Sequence, residues 1–181
     1  MHGDQTHGIN ELRAFYLKNR KKLDLFADKT TSKYLVNSFN YCFNNNYGYP
    51  AIFNLKMLKK KHIIKKNNKN LIFEPIKVKH GKINSLMFKI NNTCAYASDV
   101  SKIYPKDLKK INNLKYFIVD CLRYEPHPSH FNLKKIFDLV DIIKPNKTIL
   151  TNMNNEIDYI EIKKLLPKNI IPAYDGMSFL I

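Results

Sequence analysis

Apolar residues recur at helical spacing along GINELRAFYLKNR, where Ile9, Leu12, Phe15 and Tyr16 share one face of a predicted helix. LDLFAD, Leu23 to Asp28, predicts a strand, after which Thr30 or Thr31 can cap a helix carrying Leu35, Phe39 and Cys42 with Phe43. NNNYGYP, Asn44 to Pro50, has the turn residues of a loop. The middle of the chain is rich in strands. NNKN (Asn67 to Asn70) turns into LIFEPIKVKH, followed by LMFKI, an NNT turn and CAYASDV. KYFIVDC, Lys115 to Cys121, is a short, mostly apolar strand. Leu133, Ile136, Phe137, Val140 and Ile143 make the clearest amphipathic helix. KTIL, a helix from Asp158 to Leu166, IIPAY and MSFLI close the chain. Alternating strands and helices with hairpins between them predict a mixed α/β layered fold.

The 181 residues have the length of one domain, and no repeat or Pro/Gly-rich linker divides them. No apolar run is long enough to cross a bilayer, so no membrane partner is expected. The polar start lacks the apolar core of a signal peptide, and the expected location is cytoplasmic. Cys42, Cys94 and Cys121 are odd in number and lack metal-type spacing, which predicts free thiols in a reducing compartment. Cys94 and Cys121 lie in strand-like runs and are expected to be small buried apolar groups.

A formal charge of +16 ordinarily raises nucleic acid as a partner. Here the excess is nearly all lysine, spread beside abundant Asn and Ile, as a coding sequence rich in A and T would produce. The densest run, KMLKKKHIIKKNNKN (Lys56 to Asn70), is read as a solvated hairpin rather than a phosphate-binding stripe, because fixing long lysines on a surface gains little. Nucleic acid is therefore disfavoured, although the positive field still favours an anionic substrate.

Polar residues gather at predicted strand ends, where layered α/β folds carry chemistry. His2 and Asp4 precede the first helix, His80 ends a strand before Gly81, and Asp99 ends CAYASD. His127 and His130 lie in HPSH before the strongest helix, and Asn152 ends KTILTN.

These stretches together resemble the metallo-β-lactamase-fold hydrolases, and within them the cyclic-phosphate phosphodiesterases related to phosphonate breakdown. HGDQTHGINELR is similar to the second half of the H-x-H-x-D-H signature with its G-I-D-D-L-R continuation. VKHG, YASDVSKIYP, VDCLRYEPHPSHFNL, ILTNMNNEIDY and LLPKNIIPAYDGM resemble the family's later blocks, in order, from residue 2 to about residue 179. The resemblance implies a single domain over 1–181 with an αββα sandwich lacking its opening strands. His2 matches the second motif histidine and Met1 the variable residue before it, so an N-terminally truncated copy is expected.

The family binds two metals, and the resemblance implies their ligands here. One site takes His2, His80 and Asp99, with its fourth ligand upstream. The other takes Asp4, Gln5, Asp99 and Asn152. Gln5 and Asn152 both replace histidines of this second site, exchanging imidazoles for weaker amide oxygens. One bound Zn is therefore expected, with the second site holding Mn or Mg or remaining empty. The implied activity is hydrolysis of a small, cyclic-type phosphodiester through a metal-bound hydroxide, with Asp4 among the catalytic residues and His130 stabilising charge or protonating the leaving oxygen. Asp175 is expected to orient ligand residues, His127 to be a loop residue, and His7 and His62 to lie outside the site. A homodimer is compatible with these features.

Two alternatives stand beside this reading. A nuclease of the tRNA 3′-processing branch would carry a long RNA-gripping arm between His80 and Asp99, and only KINSLMFKI, a turn and CAYAS lie there. The alternative from another class is an inactive or truncated protein that binds phosphorylated ligands without catalysis.

Overall fold

The computed structural model describes residues 2–45, 48–66 and 69–181, and the chain divides into two compact units, Met1–Lys59 and Lys60–Ile181. Part of the expected Asn44–Pro50 loop and Asn67 and Asn68 of the NNKN turn lie outside the described residues.

In the first unit, helix begins earlier than the apolar spacing suggests: α1 (Gly3–Thr6) leads through a 3-10 segment (His7–Leu12) into α2 (Arg13–Asn19). The tighter 3-10 winding rotates the expected stripe. Ile9 is buried and Tyr16 packs on the core, but Phe15 is 56% exposed. β1 (Leu23–Ala27) precedes α3 (Lys29–Ser38). The cap of α3 is Asp28 rather than Thr30 or Thr31: Thr31 N–H donates to Asp28 Oδ1 at 2.8 Å. Phe39 leaves helical geometry at φ −129°, so α4 (Asn40–Phe43) is a separate turn. Lys56 and Met57 fall in β2 (Phe53–Met57), not in a hairpin, and β2 pairs in parallel with β1 from Leu23↔Phe53 to Ala27↔Met57. Ile9, Ala27, Leu35, Phe39, Cys42, Ile52 and Phe53 form this unit's core.

The second unit is built on one seven-stranded sheet. In chain order its elements are β3 (His62–Lys66), β4 (Lys69–His80), β5 (Ile83–Ile90) and β6 (Cys94–Ala97). Then come α5 (Pro105–Leu108) with a 3-10 turn at Lys109–Ile111, β7 (Tyr116–Asp120) and α6 (Leu133–Ile143). β8 (Lys147–Thr151), α7 (Tyr159–Leu165) and β9 (Ile170–Pro172) complete it. The strands lie side by side in chain order, β3 at one margin and β9 at the other. Pairing is antiparallel from β3 to β6 and parallel from β6 to β9.

The strand alternation expected of a half-buried sheet is present. Ile76 and Val78 on β4, Met87 on β5, Ala95 and Ala97 on β6, and Phe117 and Val119 on β7 share a core with Ile136, Val140 and Ile143 of α6. The lysine-rich run does form a hairpin, β3 with β4, whose Ile63 and Ile64 are half exposed. MSFLI is not a strand; Phe179 instead sets its ring 4.6 Å from that of Tyr116. Among the described residues no helix is long and apolar enough to cross a membrane.

The pairing also fixes where the strand ends gather. β4 and β6 run the same way because each is antiparallel to β5, and β7 and β8 follow β6 in parallel. The carboxyl ends of β4, β6, β7 and β8 therefore share one edge of the sheet.

The cap assignment predicts that Asp28→Ala lowers stability by about 1 kcal/mol. Thr30→Ala, at an exposed first-turn position, should change it by less than about 0.5 kcal/mol. Urea unfolding of both variants checks the ranking.

Candidate active site

His80 ends β4 as the next member of the buried row Ile76, Val78, and is itself buried. Its Nδ1 lies 2.6 Å from the carbonyl oxygen of Ser129. A carbonyl can only accept, so Nδ1 carries a proton, and in the neutral ring Nε2 then has the in-plane lone pair that a metal ligand needs. The next residue must be glycine. Gly81 has φ +58°, and a Cβ there would come within 3.0 Å of the Ser129 Cβ. Asp99 lies two residues past β6. A ring nitrogen of His80 and a carboxylate oxygen of Asp99 approach within 4.8 Å. The hydroxyl of Ser85 donates to the Asp99 carbonyl and holds that turn. An imidazole nitrogen with a carboxylate oxygen suits Zn or Mn, so these two residues fit a metal.

Beside them lies a buried carboxylate that sequence reasoning did not single out. Asp120, the last residue of β7, is 0% exposed. Its Oδ2 accepts from Val100 N–H at 3.3 Å and lies 2.5 Å from His130 Nδ1; its Oδ1 accepts from Asn152 Nδ2 at 3.4 Å. Burial pushes this carboxyl up to about 8, assisted by the negative charge of Asp99 and opposed by the hydrogen bonds from Val100 and Asn152. The available signal was a single acidic residue closing the apolar run YFIV, where an unpartnered charge would be intolerable.

His130 rides on a loop closed at its base. Leu122 N–H donates to Phe131 O at 3.1 Å and Leu133 N–H to Arg123 O at 3.3 Å. The Arg123 guanidinium donates to the carbonyls of Glu125 and Pro126 at 3.3 and 2.8 Å. Asn132 donates to Tyr124 O at 2.8 Å while its side-chain oxygen caps α6 through Lys135 N–H. The His130 ring meets that of His80 edge-on, centroids 4.7 Å apart.

Of the residues expected to act, His80, Asp99, His130 and Asn152 thus share one sheet edge. Asn152, at φ +59°, uses its amide nitrogen to join the end of β8 to Asp120 and to Ser98 O at 3.3 Å. His2, Asp4 and Gln5 belong to the first unit. His2 stands at the N-cap of α1, and Gln5 Nε2 lies 3.5 Å from Asp4 Oδ2 on its exposed surface. Asp175 is exposed, and among the described residues no side-chain hydrogen bond or ion pair ties it to the residues expected to bind metal.

A histidine and a carboxylate brought together at the carboxyl edge of a mixed sheet are the kind of donor pair that metal-binding α/β folds place there. Residues 1–153 match the family model described as "Beta-lactamase superfamily domain", and the chain belongs to that superfamily. In structure it is similar to a diphosphatase of the PhnP family, at 24% identity over 86% of this chain and 57% of that one, TM-score 0.74. It also resembles YhfI of Bacillus subtilis, a metallo-β-lactamase fold protein, at 13% identity over 98% of this chain and 73% of that one, TM-score 0.74. The short form of human tRNase Z matches at 11% identity over 98% and 74% of the two chains, TM-score 0.68. In sequence the chain is 24% identical over 182 residues to an octanoyltransferase of Porphyromonas gingivalis, covering 99% of this chain and 36% of that protein. It therefore spans about a third of the length of that relative and just over half that of the diphosphatase. The expected α/β metallo-β-lactamase fold is present.

Cys42, Cys94 and Cys121 are free and buried, as expected. Burial pushes the Cys94 thiol up to about 11; burial, with the Asp120 charge adding to it, pushes Cys121 up to about 12. Both stay protonated in the folded chain, so iodoacetamide at pH 8 should leave them unlabelled until denaturant is added. The sign follows for stability: an unfolded thiol ionises near pH 8.5, so their contribution is complete below that pH and is lost progressively above it. Mass spectrometry of labelled peptides and alkaline unfolding curves check the two expectations.

Proposed function

We propose that the chain is the catalytic part of a metal-dependent hydrolase acting on small phosphodiesters, cyclic ones included. The observation that carries this reading is the Asp120–His130 pair set against His80 and Asp99. His80 Nε2 and the Asp99 carboxylate would hold the metal, and the resemblance adds His2 and Asp4 to the ligands. When bound, the metal supplies Lewis-acid chemistry, polarising a phosphoryl oxygen and acidifying water. Zn is the metal proposed for the histidine-bearing site.

The chain's own residues do the remaining work. Asp120 fixes the ring of His130 through Nδ1, which directs Nε2 to the opposite side. His130 then delivers a proton to the leaving oxygen as the ester bond breaks, and Asp120, bonded to Nδ1, holds the ring in line for the transfer. Burial of the carboxylate strengthens that pairing, since little water competes for it. Only β5, a turn and β6 separate His80 from Asp99, which supports a small substrate over a long nucleic acid. The formal charge of +16 favours an anionic one.

Metal analysis of the purified chain, followed by hydrolysis of bis(p-nitrophenyl) phosphate, tests the proposal. Expected results are bound Zn, its loss in His80→Ala, and a fall in kcat of about 10²- to 10⁴-fold in His130→Ala with metal retained. Absence of both metal and hydrolysis in the unmutated chain would overturn it.

A further inference from the structure

His127 was expected to be an ordinary loop residue, and its surroundings give it a more specific character. Its Nδ1 lies 3.3 Å from the backbone nitrogen of Ser129 and 3.2 Å from the Ser129 hydroxyl. A backbone N–H can only donate, so Nδ1 is the acceptor. A neutral imidazole that accepts at Nδ1 must carry its proton on Nε2. Burial, reinforced by nearby His130, Arg123 and His80, lowers the pKa of His127 and favours that neutral form.

The ring is also held in place. Pro126 and Pro128 flank it and restrict the backbone on both sides. Arg123 grips the carbonyls of the two residues before it. The His127 ring lies 5.2 Å from that of His130, which in turn touches His80. Among the described residues Nε2 of His127 has no hydrogen-bond partner. The result is an oriented, uncharged N–H donor, left over by the fold, next to the group proposed to protonate the leaving oxygen.

We propose that His127 is a substrate-binding residue whose Nε2–H donates to a non-bridging phosphoryl oxygen, leaving His130 to act at the leaving oxygen. This rests on the phosphodiesterase reading above. It assigns the paired histidines of HPSH different tasks through opposite hydrogen-bond partners: a carboxylate at Nδ1 of His130, an N–H at Nδ1 of His127.

Long-range proton–nitrogen correlation on the full chain, with ¹⁵N-labelled histidine and Zn present, reads the tautomer directly. The expected spectrum has the Nε2–H form for His127, perturbed on titration with inorganic phosphate. His127→Leu should raise KM for bis(p-nitrophenyl) phosphate by about 10- to 100-fold, as loss of a hydrogen bond to a charged group would. His127→Gln, which restores an N–H near the Nε2 position, should recover most of that loss. A merely structural role would not distinguish the two variants. The Nδ1–H tautomer, indifference to phosphate, or equal KM in the unmutated and Leu proteins would overturn the inference. Failure of the broader reading looks different: no diester is hydrolysed by any form, and the phosphate titration alone then decides the role of His127.

Discussion

A fully buried carboxylate is tolerable only if donors replace the water it has lost, and Asp120 obtains its donors from three separate segments. Val100 N–H comes from the turn after β6, the Asn152 amide from the end of β8, and His130 from the loop after β7. Each one that moved would remove part of what replaces that water. The carboxylate thus acts as a keystone for the whole carboxyl edge. The residues beside it inherit its rigidity: Asp99 immediately precedes Val100, and Ser98 shares the Asn152 amide.

Ser129 imposes a second order on the same edge. Its carbonyl obliges His80 to carry a proton on Nδ1, and its N–H obliges His127 to leave Nδ1 bare. One residue of main chain therefore sets two imidazoles in opposite tautomers, one with a lone pair at Nε2 and one with a hydrogen there. Gly81 makes this possible, because any larger residue would push Ser129 away from His80.

The larger elements were legible in the sequence because their physics is local. KYFIVDC and the stripe of α6 bury so much apolar surface that no other arrangement suits them. Strand-end position brought forward His80, Asp99 and Asn152, and a place in the loop before α6 brought forward His130. The misses are equally instructive. β2 was hard to read because FNLKM, though alternating as a half-buried strand does, is only five residues long and runs directly into the lysine-rich stretch that follows. Asp120 and Ser129 act through a buried charge and main-chain groups, and backbone hydrogen bonds leave no mark on residue identity. Asp28 displaced the threonines as a cap because only three-dimensional placement distinguishes neighbouring oxygen acceptors. The ligand assignments came from family resemblance rather than from spacing.

β3 ends the seven-stranded sheet, and its exposed isoleucines would make an attractive template for the strand of another molecule. The chain around it is loaded with lysine: Lys59, Lys60 and Lys61 before the strand and Lys65 within it. Two such margins approaching one another would bring like charges together, so the basic run serves as a colloidal brake whatever its origin in coding bias. Electrostatic brakes of this kind weaken as ions screen them over a Debye length of about 10 Å at 0.1 M salt. The protein should accordingly keep best in dilute buffer, and concentrated salt works against the feature that holds its molecules apart.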